Sequence, residues 1–138
     1  MVEHHGWATI RLAYTCEDTE LEELNRLAEE IKRNIFPSEW PFGSPSLEYH
    51  NTAWHLSVFG FTNHAPQTED DPVRLFREIS RVAPGSYGLL YIHDDESFQD
   101  GYDNEFVAYV MARGEVKQAR DPFLSPYIPA VEDECRGP

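Results

Sequence analysis

The residues of this chain that could do chemistry are concentrated in one acidic stretch, residues 94–105, which carries six carboxylates and no Lys or Arg. Such a density suggests calcium, because calcium prefers oxygen ligands. In an EF-hand loop the glycine occupies the sixth position. With Gly101 there, Phe98 falls at the third position and Val107 at the twelfth, so two of the ligand positions lack an oxygen-bearing side chain. The stretch therefore predicts no calcium site of this kind.

Other patterns of catalytic or metal-binding residues are also missing from the sequence. The six histidines form no His-Glu-x-x-His motif, and there is no phosphate-binding loop and no nucleophile elbow. Cys16 and Cys135 stand beside acidic residues, whereas a nucleophilic thiol needs a basic setting. We therefore expect no catalytic residue, no metal and no cofactor.

The acidic stretch is a better candidate for binding a protein partner. Phe98 and Tyr102 alternate with its carboxylates, and aromatic anchors surrounded by steering charges are typical of protein interfaces. The alternative is a solvated loop whose rings fold onto the core. Trp40, in a proline-rich loop, is either a lid over the core or a contact for a partner. The candidate partner-binding residues are Asp94, Asp95, Glu96, Phe98, Asp100, Tyr102, Asp103, Glu105 and Trp40.

The charge of the chain restricts the class of partner. It has 25 acidic and 11 basic residues, a formal net charge of −14. Such a chain repels nucleic acids and anionic membranes, so the charge favours a basic protein partner or serves solubility alone. From the first residues we expect no secretory signal, and no apolar run is long enough to cross a membrane.

The 138 residues predict one domain, residues 1–138, in which residues 122–138 form an extended, proline-rich and acidic tail. Apolar spacing predicts one helix over residues 19–35, with a capping box of Thr19 and Glu22. A second helix is expected to begin at Pro72, with Asp71 as its N-cap, and to stop at Pro84. Alternating patterns predict strands over residues 7–14, 47–49, 53–61, 86–93, 105–112 and 115–119.

The resulting order, β-α-β-β-α-β-β-β, predicts an α+β fold: a mainly antiparallel sheet of five to six strands with two helices packed on it. The first six elements are expected to form a ferredoxin-like arrangement. Asn51-Thr52 and Arg113-Gly114 are expected to be tight turns. Because residues 53–61 are apolar on much of both faces, this strand is expected to be central and buried.

Five ordered segments of the chain resemble the immunity protein 7 family of bacterial polymorphic toxin systems, and the resemblance extends to about Asp133. The segments are HGWATI at residues 5–10, GFTNH at 60–64, APGSYGLLYI at 83–92, DNEF at 103–106 and DPFLSP at 121–126.

This resemblance implies a cytoplasmic antitoxin with no catalysis of its own. Such a protein would bind the C-terminal domain of a cognate toxin and cover its active site or substrate surface. Nuclease toxins are basic because they hold phosphates, so the charge of −14 suits that class. Two alternatives remain: a small enzyme or ligand-binding domain with a carboxylate-lined pocket, and an adaptor in a larger assembly.

Overall fold

The computed structural model describes residues 1–15, 17–37, 45–62, 72–95 and 104–135. In chain order the elements are β1 Val2–Ile10, α1 Leu21–Glu30 with a π-helical turn Ile31–Ile35, β2 Ser46–His50, β3 Ala53–Thr62, α2 Pro72–Val82, β4 Tyr87–Asp94, β5 Phe106–Ala112, β6 Glu115–Arg120 and the short helix α3 Tyr127–Ala130.

The six strands form one sheet in the order β2-β3-β1-β4-β5-β6, and every neighbouring pair is antiparallel. Because α1 leads from β1 to β2 and α2 leads from β3 to β4, each helix crosses over one strand. This is the ferredoxin-like arrangement, and the β5–β6 hairpin extends the sheet beyond β4. The predicted fold class is confirmed.

Both predicted tight turns are present. Asn51 and Thr52, between β2 and β3, have φ values of 50° and 69°, and Arg113 and Gly114, between β5 and β6, have 54° and 77°. Two consecutive residues with positive φ are the requirement of a type I′ turn, whose twist matches that of the strands it joins. These turns set the register of the two hairpins.

The core lies on one face of the sheet, beneath both long helices. Ile31 follows α1, Phe76 and Ile79 lie on α2, and all three are buried with Leu56 and Leu90 of the sheet in one apolar cluster. Three arginines of α2 are exposed: Arg74, Arg77 and Arg81. Since α1 and α2 both contribute to this cluster, they cover the same face.

The structure corrects two boundaries near the N-terminus. β1 begins at Val2 and ends at Ile10, whereas residues 7–14 were the predicted strand. His4 and His5 belong to the strand because they pair with β3 on one side and with β4 on the other. Beyond β1, the backbone N–H of Arg11 donates to Ser86 Oγ at 3.0 Å, which replaces a ladder hydrogen bond.

The predicted capping box is also wrong. The N-cap of α1 is Glu20 and no side chain caps it, so neither Thr19 nor Glu22 plays the predicted part. The glutamates in the first turn still favour this end of the helix through the helix dipole. The N-cap predicted for α2, Asp71, lies outside the described residues.

One buried histidine makes stability depend on pH. His4 lies on the core side of β1, is 2% exposed, and has Gly60 and Ile92 as its strand neighbours. Burial, assisted by the nearby charge of His5, lowers the pKa of His4 to about 4. The unfolded chain therefore takes up a proton near pH 6.5, whereas the folded chain resists protonation until about pH 4.

We expect the free energy of unfolding to be highest above pH 6.5 and to fall by about 2–3 kcal/mol as the pH falls to 4 through His4 alone. His4→Leu should remove this part of the acid loss. Urea unfolding at several pH values measures it. An equal loss in the variant and the natural protein would show that other groups cause it.

Candidate functional site

The predicted partner-binding loop is described at its two ends only. Asp94 ends β4 and Asp95 follows it, Glu105 precedes β5, and the pairing of His93 with Phe106 places these ends beside each other. The other predicted contacts lie outside the described residues: Trp40, Glu96, Phe98, Asp100, Tyr102 and Asp103. The structure thus brings together three of the nine candidates, at one end of the sheet. We call residues 94–105 the acidic loop.

Two of these three carboxylates form ion pairs. Asp95 Oδ1 lies 2.6 Å from the N-terminal ammonium of Met1, and this hydrogen bond lowers the pKa of Asp95. Glu105 Oε2 accepts a hydrogen bond of 2.6 Å from Arg120 Nη1. Both pairs are partly exposed and add little to stability. They link Asp95 to the residue before β1 and Glu105 to the last residue of β6.

The face of the sheet opposite α1 and α2 carries large exposed side chains, and we call it the open face. On the four inner strands its side chains come from alternate positions: Glu3, His5, Trp7 and Thr9 on β1; His55, Ser57, Phe59 and Phe61 on β3; Tyr87, Leu89, Tyr91 and His93 on β4; Phe106, Ala108 and Val110 on β5.

Four aromatic side chains of the open face are strongly exposed. Phe59 is 66% exposed, Phe61 53%, Trp7 47% and Tyr87 44%. The rings of Trp7 and Tyr87 meet edge to face at 6.2 Å, and those of His5 and Phe61 at 5.9 Å. These contacts restrict the rings of Trp7, Tyr87 and Phe61, which form part of an exposed aromatic surface.

The interpretation of β3 as a strand buried on both sides is therefore wrong. Leu56 and Val58 are buried, but Phe59 and Phe61 face outwards. Both helices cover the same side, so only one set of alternate residues is enclosed. This surface was not predicted from the sequence, although the alternating patterns of β1 and β3 indicate which of their side chains share one face.

One corner of the open face is covered by the segment after β6. The ring of Tyr127 on α3 stacks on His93 at 4.7 Å, and the Tyr127 N–H donates to the Asn104 carbonyl at 2.8 Å. Buried Asp121 accepts hydrogen bonds from the two backbone N–H groups of Phe123 and Leu124. This anchoring covers the β4–β5 corner and leaves the aromatic rings of β1 and β3 exposed.

A cleft at the other end of the sheet is the place for the alternative, ligand-binding function. Its volume is about 600 Å³, and its polar lining includes Arg11, Glu17 and Asp18. Its carboxylates are its candidate general bases, and the described residues that line it include no histidine, serine or cysteine. We call it the strand-end cleft.

The described part of the chain offers no cluster of three or more His, Cys, Asp or Glu that could hold a metal ion. In that same part, every helix is too short or too polar to span a bilayer.

Comparison with known proteins gives one match. No curated protein and no solved structure matches the chain, whereas the family model described as immunity protein 7 matches residues 1–133. That span includes every strand and helix described above. The chain belongs to the immunity protein 7 family, and this membership implies an immunity protein against polymorphic toxins.

Proposed function

We propose that this protein binds the toxic C-terminal domain of a cognate polymorphic toxin and neutralises it by covering the toxin's active site or substrate surface. The observation that carries the proposal is the family match over residues 1–133. Inhibition by occlusion requires tight binding and no chemistry. We therefore propose a non-enzymatic protein that acts in the cytoplasm, where its target would otherwise do damage.

The charge supports a basic nuclease as the target. A nuclease domain holds a phosphate backbone and so presents a cationic surface, to which a chain of net charge −14 is complementary. Complementary charge raises the rate of encounter. We propose that the acidic loop and Trp40 provide contacts, with these residues: Asp94, Asp95, Glu96, Phe98, Asp100, Tyr102, Asp103, Glu105 and Trp40.

The proposal is tested by expressing the C-terminal domain of the toxin encoded beside this protein's gene. We expect the domain to stop growth when expressed alone, and to co-purify with this protein and become harmless when both are present. A toxin domain from an unrelated system is the control, and it should be neither bound nor neutralised. Absence of both binding and protection would contradict the proposal.

The class of target is tested on the purified complex. A nuclease toxin should degrade DNA or RNA alone, and one equivalent of this protein should stop that activity. A toxin that is bound and neutralised but degrades neither substrate would reject only the nuclease part. If no toxin is bound at all, the strand-end cleft and its carboxylates would become the better candidate site.

A further inference from the structure

The open face exposes a large apolar area. With aromatic side chains of about 200 Å² each, the exposed fractions of Trp7, Phe59, Phe61 and Tyr87 correspond to roughly 400 Å². Patches of about 300–600 Å² are the largest found on typical monomers and are often functional. Phe59 and Trp7 belong to inner strands, so a position at the edge of the sheet does not explain their exposure.

We propose that the open face is the surface on which the cognate toxin domain docks, with Trp7, Phe59 and Phe61 as its anchors. This inference rests on the proposed function and adds to it the surface that is buried. The expected partner surface is apolar at its centre and carries Lys and Arg around that centre. Apolar anchors within a charged rim are the usual anatomy of tight interfaces.

Continuity with the acidic loop supports a basic protein as the occupant. Phe61, Glu3, His93 and Phe106 form one row across four strands, and Asp94 directly follows His93. Phe61 and the described carboxylates of the acidic loop, Asp94, Asp95 and Glu105, therefore lie at the same end of the sheet. A partner seated over Phe61 would bring its cations to the end of the sheet that carries these carboxylates.

The same charge disfavours two other occupants. A second copy would bring together two chains of −14 each, with an acidic loop at the end of each buried face. An anionic membrane would repel the chain as a whole. A small ligand is also a poor fit, because such molecules bind in concave sites and the open face is the outer surface of a sheet.

A substitution of Ser57 can block the open face without removing a side chain that packs in the core. Ser57 is exposed, lies beside Trp7 in the strand register, and is flanked by the outward-facing Phe59 on the same strand. Ser57→Arg adds a long side chain among the anchors. Gln118→Arg is the matched control, because Gln118 is exposed on β6 and points to the opposite side of the sheet. Both variants add one positive charge, so the net charge of the chain changes equally.

The experiment measures association and dissociation rates against the immobilised C-terminal domain of the toxin encoded beside this gene. We expect Ser57→Arg to raise the dissociation rate at least tenfold and Gln118→Arg to change it less than twofold. Phe59→Ser, which removes an anchor instead of adding bulk, should also raise dissociation at least tenfold. Thermal unfolding of each variant checks that the fold is kept.

Each result has a definite consequence. Binding by all three variants as tight as that of the natural protein would overturn the inference while the proposed function stands. Dimers of the free protein in sedimentation velocity, dissociated by Ser57→Arg, would identify a second copy as the occupant and also overturn it. Failure of the natural protein to bind any toxin domain would reject the proposed function, and this inference with it.

Discussion

Exchange of Asp94 and Asp95 for lysine is expected to slow association with the toxin domain by about tenfold to a hundredfold in low-salt buffer, with a smaller effect on dissociation. Asp94 is the last residue of β4 and Asp95 follows it, at the end of the sheet where Phe61 of the open face also lies. Charges in this position act before contact, because the Debye length is about 10 Å at 0.1 M salt. Stopped-flow measurement at several salt concentrations gives the association rate.

The matched control is Glu23→Lys with Glu29→Lys, which makes the same change in net charge on the exposed side of α1. If position matters, the α1 pair should slow association much less than the loop pair. Equal slowing by both pairs would assign the effect to net charge alone. An unchanged rate in the loop pair would remove this end of the acidic loop from the approach path.

The order of the elements could be predicted from the sequence because its signals are local. The apolar stripe of α2 and the two residues of each tight turn identify their structure without knowledge of the rest of the chain. Two helices separated by a hairpin then leave few ways to cover one antiparallel sheet. The ferredoxin-like arrangement follows from that restriction.

The boundaries that could not be predicted depend on contacts distant in sequence. His4 and His5 look like a polar start, but β3 and β4 pair with both residues and include them in β1. The Thr19 and Glu22 pattern has the spacing of a capping box, yet the helix begins at Leu21 and Glu20 takes the N-cap position. Sequence spacing alone cannot show where tertiary contacts start a strand or a helix.

The open face shows a related difficulty. Apolar residues on both sides of β3 predict burial on both sides, but the pattern does not say which molecule covers each side. Leu56 and Val58 are covered by the helices of this chain, whereas Phe59 and Phe61 are exposed in the isolated chain. The same apolar composition is therefore compatible with a strand that is buried on both sides and with a strand whose outer side is exposed for a partner.

The close approach of β1 and β4 that supports the open face depends on Gly88, and we expect Gly88→Ala to lower the free energy of unfolding by about 3 kcal/mol. A Cβ at residue 88 would lie 2.0 Å from the Trp7 carbonyl oxygen and 2.7 Å from Ala8 Cα. Both are backbone atoms of the neighbouring strand, so relief requires the two strands to separate. For a chain of this size the melting temperature should fall by about 10 °C.

Gly6→Ala is the matched control, since Gly6 also lies on the core side of an inner strand. A Cβ there would lie 2.9 Å from two side-chain ends, Leu90 Cδ1 and Val58 Cγ2, which can rotate away. We expect a loss of about 1 kcal/mol, and urea unfolding followed by circular dichroism measures both variants. A loss at Gly88 no greater than that at Gly6 would show that β1 and β4 can move apart easily. In that case the contact between the rings of Trp7 and Tyr87 would not be held by the backbone beneath it.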